Sequence, residues 1–153
     1  MNIEVAVLDS QLTKVHEILK DNNLSFDNDI NLTMIAVEKE ITGTVSLSEN
    51  IIKCLSVVKE HQGKGIATKL INKVIEFLAT KDIYHYFAYS KEDNYDIFIG
   101  LGMKEIVTID GVTLFEGGIK NIVSYLHNMK EEYNLHKEKA KIVRKLNHLK
   151  KDK

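Results

Sequence analysis

Apolar and polar positions alternate weakly from Ile3 to Leu8, which predicts a short strand, and Asp9 or Ser10 then stands where a helix cap is expected. Leu12, Val15, Ile18 and Leu19 follow at helical spacing on one face. The Asn- and Asp-rich stretch from Asp21 to Asn31 reads as a loop with room for one helical turn at Leu24 to Phe26. Strands are predicted at Met34 to Glu38 and Ile41 to Leu47, a hairpin across Lys39-Glu40, and a third at Ile51 to Val58. Beyond a glycine-bearing turn, Ile66, Ala67, Leu70, Ile71, Val74, Phe77 and Leu78 recur as one face of a helix.

Ile83 to Tyr89 alternates as a strand, Glu92 to Ile99 is a short helix ended by Gly100 and Gly102, and Met103 to Ile109 with Val112 to Phe115 form a closing hairpin at Asp110-Gly111. A long helix is expected from Ile119. Its apolar positions Ile122, Leu126, Met129 and Tyr133 continue through Ala140, Val143 and Leu146, with a polar break around Asn134 to His136. Two parts result: a mixed α/β body over residues 1–118 and a helical extension over 119–153.

Composition adds little to the fold but narrows the function. At 153 residues, 44% hydrophobic and 28% charged, the chain has the makeup of one globular domain with a net charge of −1, and nothing overall points to nucleic acid. The charge is uneven: residues 130–153 carry nine Lys or Arg against four acids, about +5, which leaves the rest at about −6. This reads first as a solvated helix face, although Leu135, Ile142, Leu146 and Leu149 also space as a seam that allows a homodimer. A single cysteine, Cys54, excludes an internal disulfide and, in an apolar run, is expected to act as a small buried hydrophobe. His85 is expected to be structural. Neither a leader-like N-terminus nor a membrane-length apolar run is visible, so a cytoplasmic location without membrane partners is expected.

The segment that carries chemistry is Leu55 to Thr68, where a strand ends, two glycines turn, and a helix begins. Glycines let backbone N–H groups approach an anion without a Cβ, and a helix N-terminus adds unpaired donors with a positive dipole end. That is a phosphate cradle or, on local physics alone, a plain turn. It is not a nucleotide P-loop, since Lys64 is followed by Gly65 in place of Ser or Thr, and Thr68 stands at the third glycine of a dinucleotide fingerprint.

Gln62-x-x-Gly65-x-Ala67 resembles the Q/R-x-x-G-x-G/A signature of the GNAT acetyltransferases, Glu40-Ile41-Thr42-Gly43 is similar to that family's third strand, and Phe98-x-x-x-Gly102-Met103 to its Y-x-x-x-G-F ending. The resemblance implies a mixed, mostly antiparallel sheet splayed after Leu55 to Val58 and flanked by helices. It implies acetyl-CoA as cofactor, its pantetheine arm along Leu55, Ser56 and Val57 and its pyrophosphate on Gln62, Gly63, Lys64, Gly65, Ile66, Ala67 and Thr68. The activity implied is acetyl transfer to a small-molecule or peptide amine by direct attack in a ternary complex. The family's thiolate-protonating tyrosine corresponds to Phe98 here, and Tyr95, one turn earlier, is the expected substitute as catalytic acid. Lys91 falls near the family's motif asparagine. Glu49, Asp110 and Glu116 are the candidate bases by position.

A narrower resemblance, carried by Asp21 to Asp27, by Asn50 to Cys54 and by Ser90-Lys91 with Phe98, is to the N-terminal GNAT-like domain of citrate lyase ligases. It implies an alternative function, a non-catalytic or accessory domain that binds CoA or a CoA-like prosthetic group. The chain holds no H-x-G-H type ATP motif, so the ligase reaction itself is not expected of it.

Overall fold

The computed structural model describes residues 1–118 and 122–151, the latter without the side chains of 122–129, 132 and 146–151. It divides into two units, Met1–Ile119 and Lys120–Lys153. In the first, the alternating segments become strands β1 (Asn2–Val5), β2 (Leu32–Glu38), β3 (Glu40–Ser48), β4 (Ile51–Val57), β5 (His85–Lys91), β6 (Lys104–Ile109) and β7 (Val112–Gly118). Helices α1 (Asp9–Asp21), α2 (Ile66–Thr80) and α3 (Tyr95–Gly100) connect them. The second unit holds α4 (Ile122–Lys151), one unbroken helix across the expected polar break at Asn134 to His136. The expected helix start at Ile119 lies outside the described residues, and the apolar positions Ile122, Leu126, Met129, Leu146 and Leu149 belong to side chains outside them.

All seven strands form one sheet in the order β1-β2-β3-β4-β5-β7-β6. Every pair is antiparallel except β4 with β5, which runs parallel and pairs only at Ile51 with Phe87 and Ile52 with Ala88. The cause of that short pairing is written on the other side of β4. Ser46 faces Lys53 but Thr44 faces Ser56, so Cys54 and Leu55 together oppose Val45. Such a bulge bends its strand, and Cys54 absorbs the distortion at φ +55°, a left-handed conformation that costs a side-chain-bearing residue about 1–2 kcal/mol. Beyond it β4 leaves β5, and the sheet opens.

The two faces are covered differently. On one, α2 buries Ile66, Ala67, Leu70, Ile71, Val74 and Leu78 against Val45, Leu47, Ile52, Leu55 and Ala88, each large side chain contributing about 1.5–3 kcal/mol relative to exposure. Phe98 of α3 closes this core, stacked on Phe115 at 5.3 Å. On the other face α1 packs Val15 and Leu19 against Ile35, with Cys54, Leu24 and Phe26 at the margin. Asp9 and Ser10 are not the α1 cap. The N-cap lies one residue earlier, at Leu8, and the Gln11 side chain accepts from the N–H groups of Val7 and Leu8, both at 3.0 Å. β1 accordingly ends at Val5 instead of Leu8, and β5 starts at His85 instead of Ile83.

Candidate active site

Where β4 and β5 part, a groove of about 410 Å³ opens on the α2 face, lined by Val57, His61, Gln62, Gly63, Gly65, Ile66, Ala67, Thr68, Asp93, Asn94 and Ile97. Its floor follows from the turn chemistry. Gly63 and Gly65 both sit at φ +81°, the region only glycine enters freely, and Gly65 is the N-cap of α2. The first intrahelical bond runs from Lys69 N to Gly65 O at 3.1 Å, so the N–H groups of Ile66, Ala67 and Thr68 have no partner within the helix and point out of its positive end.

The rim of the groove is the open edge of β4. Since Val58 N donates to Thr42 O, the intervening carbonyls of Leu55 and Val57 face away from β3. Side-chain amides satisfy both: Asn94 Nδ2 donates to Leu55 O at 3.2 Å, and Val57 O accepts from Gln62 Nε2 at 3.0 Å and Asn22 Nδ2 at 3.3 Å. Asn94 thereby spans the splay. His61 contributes a buried Nδ1 with no hydrogen-bond partner.

Of the sequence-derived residues, Val57, Gln62, Gly63, Gly65, Ile66, Ala67 and Thr68 come together here. Leu55 and Ser56 do not line the groove, being buried in β4, where Ser56 Oγ accepts from Asn22. Lys64 is exposed on the loop. Tyr95 is not brought to the groove: its ring packs on Phe115 at 5.2 Å, and its hydroxyl donates to Glu105 at 2.8 Å in a separate cleft with Asp96 and Thr108. That hydrogen bond to a carboxylate holds the Tyr95 phenol above its ordinary pKa, and bonds from Thr108 and then Tyr95 hold Glu105 below the usual carboxylate value. Among the candidate bases, Glu49 and Asp110 sit in exposed turns, while Glu116 is fully buried against His85 Nε2 at 2.7 Å. None of the three lines the groove. Asn94, His61 and Asn22 were missed by sequence reasoning, because an isolated Asn or His carries no local signal until the fold aims it.

A second pocket of about 520 Å³ lies across the sheet, between the loop after α1 and the diverging strands, with Cys54, Leu55, Tyr89, Ser90, Lys91 and Asn94 among its walls. Asn94 borders both cavities. Lys53, in this pocket, donates to Asp27 at 3.1 Å and to both Asp29 oxygens at 3.2 and 3.3 Å, and lies 5.5 Å from the Tyr89 ring centroid. Burial alone would lower its pKa, but the bonds to Asp27 and Asp29 outweigh it and hold the ammonium above its usual value. Asp29 is lowered by Ser48 and then Lys53. Burial pushes the Cys54 thiol up, which favours an inert side chain over a reactive thiolate.

A sheet splayed beside a glycine turn and a helix N-terminus defines a class. The sequence profile of the acetyltransferase (GNAT) family matches residues 7–96, and the chain belongs to that family. Among individual proteins, it is 22% identical over 117 residues to the [citrate [pro-3S]-lyase] ligase of Klebsiella pneumoniae, a match over 75% of this chain. The chain spans about a third of that relative's length, 34%. Its fold is shared with the PaiA N-acetyltransferase of Thermoplasma acidophilum, solved in complex with coenzyme A (TM-score 0.60, 17% identity, 77% of this chain and 99% of that one). It is also shared with an aminoglycoside 6'-N-acetyltransferase complexed with coenzyme A (TM-score 0.63, 12% identity, 78% and 98%). Among the described residues, no helix is long and apolar enough to cross a membrane and no cluster of His, Cys, Asp or Glu could hold a metal ion.

Proposed function

We propose that the chain transfers an acetyl group from acetyl-CoA to an amine by direct attack in a ternary complex, the groove holding the donor and the second pocket the acceptor. The observation that carries this is the junction at Asn94, where two cavities on opposite faces of the sheet meet at the splay. Family membership supports acetyl transfer in general, and the coenzyme A complexes of the two fold neighbours support the donor class.

The residues present fit a CoA-type donor. The N–H groups of Ile66, Ala67 and Thr68, approached past two glycines, suit a pyrophosphate, and the exposed ammonium groups of Lys64 and Lys69 add charge beside it. The Val57 and Leu55 carbonyls, now capped by Gln62 and Asn94, are acceptors for the amide N–H groups of a pantetheine arm. Acetyl-CoA would supply an activated thioester carbonyl. In the transfer one N–C bond forms and the C–S bond breaks, and the amine loses the proton that the thiolate must gain. Phe98, fully buried, gives no proton, and the Tyr95 hydroxyl is committed to Glu105 outside the groove. We assign thiolate protonation to water entering along Asn94, so that binding and alignment carry most of the acceleration. The experiment is release of CoA thiol across a panel of amines. Acceptor-dependent release supports the reading, and none from a folded sample that binds acetyl-CoA overturns it.

A further inference from the structure

The acceptor pocket carries charge of both signs, but the two lysines in it stand in different states. Lys53 spends its donors on Asp27 and Asp29, and its side chain is only 13% exposed, so it is a closed structural pair. Lys91, two residues past Tyr89 on the same face of β5, extends toward the splay. Its Nζ donates to the backbone carbonyls of Asn22, at 3.3 Å, and Asn23. Those carbonyls end α1, where a cation is favoured by the helix dipole, so the ammonium is fixed in place. Among the described residues no carboxylate pairs with it. The pocket, whose lining includes both Lys91 and Asn94, therefore presents one immobilised cation with no carboxylate partner among the described residues.

We infer that the acceptor is an amine bearing a carboxylate a few bonds away, of the α-amino acid class, with the Lys91 ammonium as its anchor. The inference rests on the acetyl-transfer reading of the site. A carboxylate at Lys91 leaves the adjacent amine at the Asn94 junction and directs the remainder of the acceptor outward along Tyr89 and Leu24, toward half-exposed Asp27. Because the carboxylate pairs with a fixed cation that has no carboxylate partner among the described residues, the charge pair discriminates against uncharged analogues.

The test compares kcat/KM of the full chain for glutamate, phenylalanine and arginine with that for their α-carboxamides, using acetyl-CoA as donor. The acids should exceed the amides by about 10- to 100-fold, the range for a hydrogen bond to a charged group. Lys91→Met should erase that preference mainly through KM while retaining the melting-temperature rise with acetyl-CoA, and Lys91→Arg should keep part of it. Should Lys91→Met fail to fold, the acid-to-amide ratio of the wild type and of Lys91→Arg decides alone. Amides equal to acids in the wild type, or a Lys91→Met loss confined to kcat, would overturn the inference. Transfer to none of the panel by a protein that still binds acetyl-CoA overturns it and leaves the donor site standing. Absence of acetyl-CoA binding removes both.

Discussion

The groove on the α2 face and the pocket on the α1 face meet at Asn94, yet they are encoded in opposite ways. Apart from Asp93, Asn94 and Ile97, everything lining the groove lies between Val57 and Thr68. The pocket draws on the loop around Asn23 to Asp27, on Lys53 to Leu55 in β4, on Tyr89 to Lys91 in β5, and on Val112 in β7. A phosphate-bearing donor can be held by backbone N–H groups, which any sequence supplies once the turn and the helix start are fixed. An acceptor must be told apart from other amines, and that requires side chains brought in from several elements. The first function sits in one segment, the second in the tertiary fold.

The comparison breaks most sharply at Gly65. A valine there would be forced into φ +81° at the start of α2, at a cost of about 1–3 kcal/mol, and would turn the Ile66 and Ala67 N–H groups away from the groove. We expect Gly65→Val to abolish the thermal response to acetyl-CoA and lower the unliganded melting temperature. Tyr89→Ala, on the acceptor side, should leave that response intact and change only acceptor KM. A Tyr89→Ala protein that stops binding acetyl-CoA would show that the two sites are not separable.

A smaller effect is expected where the family tyrosine is missing. Phe98 has no exposed surface and stacks on Phe115, so the added hydroxyl of Phe98→Tyr would enter an apolar site. The expected outcome is a loss of about 1–3 kcal/mol in denaturant unfolding with no gain in turnover. Higher turnover would mean that position 98 reaches the donor after all.

The smallest effect concerns the acceptor loop. Ser48 and Lys53 hold Asp29 below its ordinary value of 3.8. A carboxyl lowered in the folded state contributes stability above its unfolded pKa and loses it as pH falls through the folded pKa. Melting temperature should therefore decline more steeply for wild type than for Asp29→Asn below about pH 4, with a constant difference near neutrality. Parallel curves through the acid range would show that the cluster adds nothing to stability.

Much of the body is legible in the sequence, because strand alternation and the helical face from Ile66 to Leu78 are local periodicities, and so is the two-glycine turn that leads into α2. The start of α1 is not. Asp9 and Ser10 look like caps, and only the Gln11 side chain reaching back to Val7 and Leu8 shows otherwise. The bulge at Cys54, where two residues of β4 oppose Val45, carries no glycine to announce it. Tyr95 is the neighbour of Phe98 that helical spacing predicts, and both rings pack on Phe115, but the Tyr95 hydroxyl is spent on Glu105, a partner that spacing does not reveal. Lys91, which the sequence offers near a motif asparagine and in the run Ser90-Lys91, acquires a position for chemistry when β5 places it against the carbonyls that end α1.

The central claim is that Gln62 to Thr68 holds the donor, and it is tested most directly by the melting temperature of the full chain with and without acetyl-CoA. At about a hundred times its dissociation constant, a ligand of the folded state adds roughly 2.7 kcal/mol, a rise on the order of 5–10 °C for a domain of this size. The account predicts that rise and its loss in Gly65→Val. An unchanged melting temperature at millimolar acetyl-CoA would contradict it and reduce the segment to a turn.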